Sequence, residues 1–129
     1  TLTPSLALRD GKPYLAFGTP GGDQQDQWSL TFFLRHIHHG LNLQEVIDAP
    51  AFHSEHWPSS FYPRQERLGH LVIEGRFPSH TIEDLKRRGH DVTVGPDWSE
   101  GRVSACAKDG DVLRAAANPR GMQGYAAGR

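Results

Sequence analysis

The sequence has little of several features that define common classes of protein. It contains one cysteine, Cys106, which excludes a disulfide within the chain. The small apolar residues around Cys106 predict a buried strand position for it. No apolar run approaches the roughly 20 residues that a membrane-spanning helix needs, so we expect no membrane association. The 14 basic and 15 acidic side chains leave a net charge of −1, which gives no indication of a nucleic-acid partner.

Motifs for several familiar catalytic and binding sites are absent as well. There is no Gly-x-Ser-x-Gly elbow, and the glycine-rich segment at 18–22 lacks the Gly-Lys-Ser/Thr ending of a phosphate loop. The histidines include two close pairs, at 36 and 39 and at 53 and 56, but Cys106 is far from both pairs and no His-Glu-x-x-His string occurs. Because metal sites need three or four ligands, we expect no metal and no cofactor. We interpret His53 as a packing residue with a hydrogen bond.

Two Asp-Gly turns between apolar segments predict two β-hairpins. The first hairpin joins residues 6–9 to 14–17, and the second joins residues 102–107 to 112–116. Other extended segments are expected at 51–56, 71–74 and 92–94, and a surface loop at 57–69.

A long helix is predicted between the glycine-rich segment and Gly40, with Asp23 or Asp26 as its N-terminal cap. Its apolar residues share one face, which predicts a buried helix. This face consists of Leu30, Phe33, Leu34 and Ile37, and Trp28 and Phe32 widen it.

Two shorter helices are predicted, one at 43–48 with Asn42 as its cap and one after Pro78 that ends at Gly89. Together with the hairpins they indicate an α+β protein, hairpin-rich, with helices packed on a largely antiparallel sheet. The length of 129 residues allows one ordinary domain, and we interpret residues 1–129 as a single domain.

The segment Gly18-Thr19-Pro20-Gly21-Gly22 lies between a predicted strand and the long helix. Paired glycines at such a turn can point two consecutive backbone N–H groups into one spot, with no side chain in the way. The N-terminus of the following helix favours negative charge. Gly21 and Gly22 are therefore candidates for binding an oxyanion, the group that forms on a carbonyl oxygen under nucleophilic attack.

Five segments of the chain occur in the order found in the C-terminal part of the small subunit of γ-glutamyltranspeptidases, and the chain resembles that family over nearly its whole length. The segments are Thr3-Pro4 before the Asp10-Gly11 hairpin, the Gly-Thr-Pro-Gly-Gly turn at 18–22, Gly40 to Pro50 with Phe52-His53, Ile73 to Phe77, and Asn118-Pro119-Arg120 with Gly124 to Gly128. Five matches in order are more specific than any one alone.

The resemblance implies an N-terminal-nucleophile hydrolase fold, an αββα sandwich that the large subunit completes. In that family a proenzyme cleaves itself, and the new N-terminal threonine attacks a γ-glutamyl amide to form an acyl-enzyme. By position, the oxyanion glycines of the family fall on Gly21 and Gly22. The adjacent hydroxyl residues that bind the substrate α-carboxylate would end at Thr1, so the resemblance makes Thr1 a candidate substrate-binding residue.

The chain departs from the family pattern at its start and beside the turn. The Thr-Thr-His-x-Ser string that carries the family's nucleophile is absent. We therefore interpret the chain as a C-terminal fragment whose nucleophile lies upstream, and Thr1 is not expected to be that nucleophile. Asp23-Gln24-Gln25 replaces the family's Ser-Arg-Ile, and Ala51 stands where arginine is common. These changes favour another amide, such as a small dicarboxylic monoamide or an acylated amine.

We therefore expect an amide hydrolase or acyltransferase in the full-length protein and an inactive chain in isolation. The expected partners are the large subunit, the N-terminal part of the small subunit and a small-molecule amide. Because a fragment of this kind exposes apolar surface, self-association is also expected. The compartment, cytoplasm or periplasm, stays open. The alternative is a non-catalytic α+β binding or interaction module, which could bind a metal through its histidines.

Overall fold

The computed structural model describes residues 3–122 and 124–128. The elements are, in order, β1 (Ser5–Arg9), β2 (Lys12–Gly18), α1 (Gln25–His39), α2 (Leu43–Asp48), β3 (Phe52–Ser54), β4 (His70–Glu74), α3 (Ser79–Arg87), β5 (Asp91–Gly95), β6 (Ser104–Asp109) and β7 (Val112–Ala116), with a 3-10 turn at Arg120–Met122. No helix in the described part of the chain has the length and apolarity needed to cross a membrane.

The chain divides into two compact units. Residues 50–100 form the second unit, and the described residues before and after that segment form the first. The interpretation of residues 1–129 as one domain stays a prediction, and the two units are described separately.

The first unit contains a four-stranded antiparallel sheet in the order β1-β2-β6-β7. Both predicted hairpins are confirmed, because β1 pairs with β2 across Asp10-Gly11 and β6 pairs with β7 across Asp109-Gly110. One face of this sheet packs against α1 and α2. The buried apolar side chains between these layers form the core: Leu15, Phe32, Leu43, Val46, Ile47, Val103, Ala105, Ala107 and Ala116.

The opposite face of the same sheet is open to solvent, and it includes Cys106. Side chains alternate between the two faces of a strand, so Ala105 and Ala107 point into the core while Cys106 between them points outward. The exposed position of Cys106 shows that its predicted burial was wrong. Leu6 and Leu113 are 65% and 77% exposed on the same face.

Helix α1 presents only part of the predicted apolar face to the core. Phe32 is buried in the core, and Trp28 and Phe33 pack against it, as predicted. The rest of that face was predicted wrongly, because the helix buries the polar residues Gln25 and Ser29 instead. The Gln25 side chain bonds the glycine turn, and His36 bonds the hydroxyl of Tyr14 on β2. The remaining apolar residues of the predicted face are exposed: Leu30, Leu34 and Ile37.

The ends of α1 are only partly as predicted. Gln24 occupies the N-cap position without a side-chain hydrogen bond, so a cap by Asp23 or Asp26 was wrong. Asp26 instead lies in the first turn, where its carboxylate accepts the N–H of Gln27. Gly40 ends the helix in the left-handed conformation, with φ 67°, which glycine adopts without strain.

The second unit contains a three-stranded sheet in the order β3-β4-β5. Strand β3 pairs antiparallel with β4, whereas β4 pairs parallel with β5 after the crossover through α3. Since four of the five strand pairs are antiparallel, the α+β class with a largely antiparallel sheet is confirmed. The segment between β3 and β4 has no regular strand or helix, as the predicted surface loop at 57–69 requires.

Candidate functional site

The turn between β2 and α1 carries the two candidate glycines. Gly21 has a φ of +142°, a backbone conformation that strongly favours glycine. A Cβ atom built on Gly21 would lie 3.2 Å from Cζ3 of Trp28 and 3.4 Å from Cγ of Gln25. Conformation and space therefore both require glycine at this position.

Three successive carbonyl groups in this turn accept hydrogen bonds from the protein. The hydroxyl of Thr19 donates to the carbonyl of Pro20 at 2.8 Å. The side-chain amide of Gln25 donates to the carbonyl of Gly21 at 2.5 Å, and the backbone N–H of Gln25 donates to the carbonyl of Gly22 at 3.2 Å. Each of the three peptide planes of the turn is thus held through its carbonyl group.

The N–H groups of Gly21 and Gly22 donate to none of the residues that the structure describes. Gly21 is exposed and Gly22 is half-buried, and both lie just before the N-terminus of α1, where the helix dipole favours negative charge. The prediction that these two residues share one turn at the start of a helix therefore agrees with the structure. Thr1, the other predicted site residue, lies outside the described residues.

An open groove of about 830 Å³ leads to this turn along the outer face of the four-stranded sheet. Thr19 and Pro20 line one part of the groove, and Cys106 and Ala115 line another. The turn therefore lies beside an accessible apolar surface rather than inside the core.

Sequence reasoning missed Gln25 and Thr19, which are 2% and 7% exposed. A glutamine in the first turn of a helix ordinarily faces solvent, so nothing in the local pattern marked Gln25 as buried. The one available signal was its position four residues after Gly21, within reach of the turn.

The second unit contains a buried cluster of carboxylates and imidazoles. Glu74 is fully buried, and its carboxylate accepts the N–H groups of Ala51 at 3.1 Å and Glu100 at 3.0 Å. The same carboxylate forms an ion pair with Arg76 at 2.7 Å. Since each oxygen of the buried Glu74 has a partner, this group stabilises the unit.

His53 lies between two carboxylates of this unit. Its Nδ1 atom lies 2.6 Å from Oε2 of Glu100, and its Nε2 atom lies 3.6 Å from Oε1 of Glu55. Burial lowers the pKa of His53, but the hydrogen bonds and negative charges of Glu100 and Glu55 outweigh burial and raise that pKa above 6.5. The predicted packing role of His53 with a hydrogen bond is confirmed.

Two of the other histidines that were considered as ligands, His36 and His56, have separate partners. In the first unit, His36 contacts the hydroxyl of Tyr14 at 2.7 Å and the carbonyl of Leu41 at 2.7 Å. In the second unit, Nδ1 of His56 accepts the N–H of Gly69 at 2.9 Å. Within residues 3–122 and 124–128, no group of three or more histidine, cysteine, aspartate or glutamate residues has the arrangement of a metal site.

Comparison with known proteins gives a consistent assignment. The Gamma-glutamyltranspeptidase family model matches residues 1–128. The glutathione hydrolase-like YwrD proenzyme of Bacillus subtilis is 34% identical over 124 residues, and the oxamate amidohydrolase proenzyme of Klebsiella pneumoniae is 37% identical over 133 residues. The alignments cover 94% and 99% of this chain but only 22% and 24% of those proteins. The chain therefore spans less than a quarter of the length of either relative.

Solved structures agree with this assignment. A structure of LmbA2991 has a TM-score of 0.91 and 58% sequence identity, over 98% of this chain and 23% of its own. Gamma-glutamyltranspeptidase from Pseudomonas nitroreducens, in complex with L-DON, has a TM-score of 0.78 and 21% identity, over 100% of this chain and 63% of its own. The second comparison shows the fold alone, and it confirms that this chain has the fold of the corresponding part of a γ-glutamyltranspeptidase. The chain belongs to the γ-glutamyltranspeptidase family.

Proposed function

We propose that this chain supplies the oxyanion hole of a γ-glutamyltranspeptidase-like amide hydrolase or acyltransferase. The backbone N–H groups of Gly21 and Gly22 donate to the carbonyl oxygen of the substrate as negative charge develops on it. The observation that carries this proposal is the pair of adjacent N–H groups with no acceptor among the described residues, at the N-terminus of α1.

The nucleophile in this proposal is an N-terminal threonine outside the chain. Its hydroxyl oxygen bonds to the amide carbon, the carbonyl electron pair moves to oxygen, and the hydroxyl proton passes to the threonine α-amine. Collapse of this intermediate re-forms the carbonyl, and the departing amine takes the proton. Water or an acceptor amine then attacks the resulting ester. Both tetrahedral intermediates carry charge on the same oxygen, so the same two donors serve both steps.

The amide that is cleaved in this proposal is a γ-glutamyl amide or a related small amide. The relatives of this chain include a glutathione hydrolase and an oxamate amidohydrolase. Because Asp23-Gln24-Gln25 replaces Ser-Arg-Ile beside the oxyanion turn, the contacts nearest the reacting carbonyl are changed. We assign a small amide as the substrate, with a γ-glutamyl amide, oxamate or an acylated amine as the classes to be compared.

The remainder of the full-length enzyme is the partner in this proposal. The chain spans 22% and 24% of two relatives. The proposed nucleophile lies outside the chain, as does the hydroxyl residue expected to act beside Thr1 in binding the substrate carboxylate. The isolated chain is therefore expected to have no amidase activity, whereas the full-length protein turns over at least one of the three amide classes.

The test is a matched pair of variants at Gly22 in the full-length enzyme. Gly22→Pro and Gly22→Ala both add carbon at this position, but only proline removes the N–H. Loss of one oxyanion donor lowers kcat by about 10²–10³-fold, so Gly22→Pro should be slower than Gly22→Ala by that order. Thermal unfolding of both variants verifies that they are folded. Equal activity of the two folded variants would defeat the assignment.

A further inference from the structure

We infer that Gln25 is a positioning residue for the proposed oxyanion hole, because its side chain fixes the direction in which the N–H of Gly22 points. This inference rests on the proposed function of Gly21 and Gly22. It assigns a role to a residue at which the chain departs from the Ser-Arg-Ile pattern of the family.

The geometry of a peptide bond connects Gln25 to the N–H of Gly22. The carbonyl of Gly21 and the N–H of Gly22 belong to one planar trans peptide, in which they point in opposite directions. The side-chain amide of Gln25 donates to that carbonyl at 2.5 Å. A donor that holds the carbonyl on the α1 side therefore directs the N–H of Gly22 away from Gln25, toward the side on which no described residue accepts it.

Gln25 holds the next peptide plane as well. Its backbone N–H donates to the carbonyl of Gly22 at 3.2 Å. One residue of the first helical turn thus bonds both carbonyl groups of the glycine pair. Because Gln25 is 2% exposed, water does not compete freely for its amide, and its position is fixed by the packing of α1.

Such a clamp is needed at this turn because the two glycines have no side chains to restrict them. A Gly-Gly peptide rotates at little steric cost, and a rotated plane would aim the Gly21 carbonyl where the Gly22 N–H is required. An oxyanion hole stabilises the transition state because its donors are already oriented.

Thr19 holds the preceding plane in the same manner. Its hydroxyl donates to the carbonyl of Pro20 at 2.8 Å, and the N–H of Gly21 lies on the other side of that peptide. Each of the two proposed donors therefore has its own side-chain clamp, Thr19 for Gly21 and Gln25 for Gly22.

The experiment compares Gln25→Met with Gln24→Met in the full-length enzyme, on the amide that the wild-type enzyme cleaves best. Each variant removes the side-chain amide of one glutamine. Gln24→Met is the control, because the side chain of the neighbouring Gln24 makes no capping hydrogen bond. We expect Gln25→Met to lower kcat by about 10- to 100-fold with little change in KM, because the lost orientation matters only in the transition state. Gln24→Met should retain kcat. Thermal unfolding verifies that both variants fold.

Crystal structures of the wild-type and Gln25→Met full-length proteins separate this inference from the proposed function. We expect the Gly21–Gly22 peptide to rotate in the variant. If the peptide rotates but Gly22→Pro costs no activity, the oxyanion assignment fails and the clamp stands. If the peptide stays in place and kcat is retained in Gln25→Met while Gly22→Pro is inactive, the clamp is overturned and the oxyanion assignment stands.

Discussion

Buried polar residues have two different tasks at the residue scale. Gln25 and Thr19 orient the backbone of a turn by bonding its carbonyl groups. In the second unit, Glu74 bonds the backbone N–H groups of Ala51 and Glu100, which joins the start of that unit to its end. Unsatisfied buried polar groups are costly, so each of these residues is sensitive to substitution even by a residue of similar size.

The raised pKa of His53 makes the stability of the folded protein depend on pH. The carboxylates Glu100 and Glu55 stabilise the protonated ring. Protonated His53 therefore adds to the free energy of unfolding. This stabilisation is fully present below the pKa that His53 has in the unfolded chain, and it is lost as pH rises through the pKa in the folded protein. The pKa of Glu55 changes oppositely. Burial raises it, but hydrogen bonds to His70 and His53 lower it overall. The stabilisation that the Glu55 carboxylate provides is therefore lost as pH falls through the pKa of Glu55 in the folded protein.

An NMR titration of the His53 ring measures this directly. We expect a midpoint above 6.5 and a lower midpoint in Glu100→Gln, which removes the nearest negative charge. Glu66→Gln is the matched control, because Glu66 is exposed in the surface loop. A His53 midpoint that Glu100→Gln leaves unchanged, or that Glu66→Gln lowers equally, would contradict the assigned cause.

Helix α2 shows at the element scale how a local signal fixes a boundary. The side chain of Asn42 accepts the N–H groups of Gln44 and Glu45, both at 3.0 Å, and the Glu45 carboxylate accepts the N–H of Asn42 at 2.8 Å. Loss of an N-cap of this kind costs about 1 kcal/mol. We therefore expect Asn42→Ala to lower the free energy of unfolding by that amount in urea denaturation.

Asn42→Asp is the control for this prediction, because aspartate keeps the acceptor oxygen and is an equally good cap. It should retain the stability of the wild-type protein within a few tenths of a kcal/mol. An equal loss in both variants would show that the side chain of Asn42 acts through its amide group and not as a helix cap.

The elements that could be predicted from the sequence are those that neighbouring residues determine. The Asp-Gly turns specify both hairpins, Asn42 specifies the start of α2, and Gly40 specifies the end of α1. The parallel pairing of β4 with β5 was not predictable in this way, because it depends on how the chain returns through α3.

The candidate site could likewise be predicted only in part from the sequence. The glycine pair is visible as a local motif, but the burial of Gln25 depends on the rotation of α1 against the sheet. That rotation follows contacts distant in sequence, such as His36 with Tyr14, and it leaves Leu30 exposed against the apolar pattern of the helix. The outward direction of Cys106 likewise depends on strand register rather than on composition.

At the scale of the whole molecule, the open face of the first unit's sheet exposes large apolar side chains. Leu6 and Leu113 are 65% and 77% exposed there, and both line an open groove of about 670 Å³. Contiguous exposed apolar surface marks an interaction site, and β1 and β7 are the edge strands of this sheet. Since the chain spans less than a quarter of its relatives, we propose that the rest of the enzyme covers this face.

The isolated chain should therefore self-associate through that face. We expect dimers or larger species in sedimentation velocity, and a shift toward monomer in Leu6→Lys combined with Leu113→Lys, because two charges on the face oppose its burial. Leu68→Lys is the control, since Leu68 is 71% exposed in the surface loop of the second unit, and it should leave association unchanged. A wild-type chain that stays monomeric at high concentration would contradict the prediction. Association that only Leu68→Lys reduces would move the interface to the second unit.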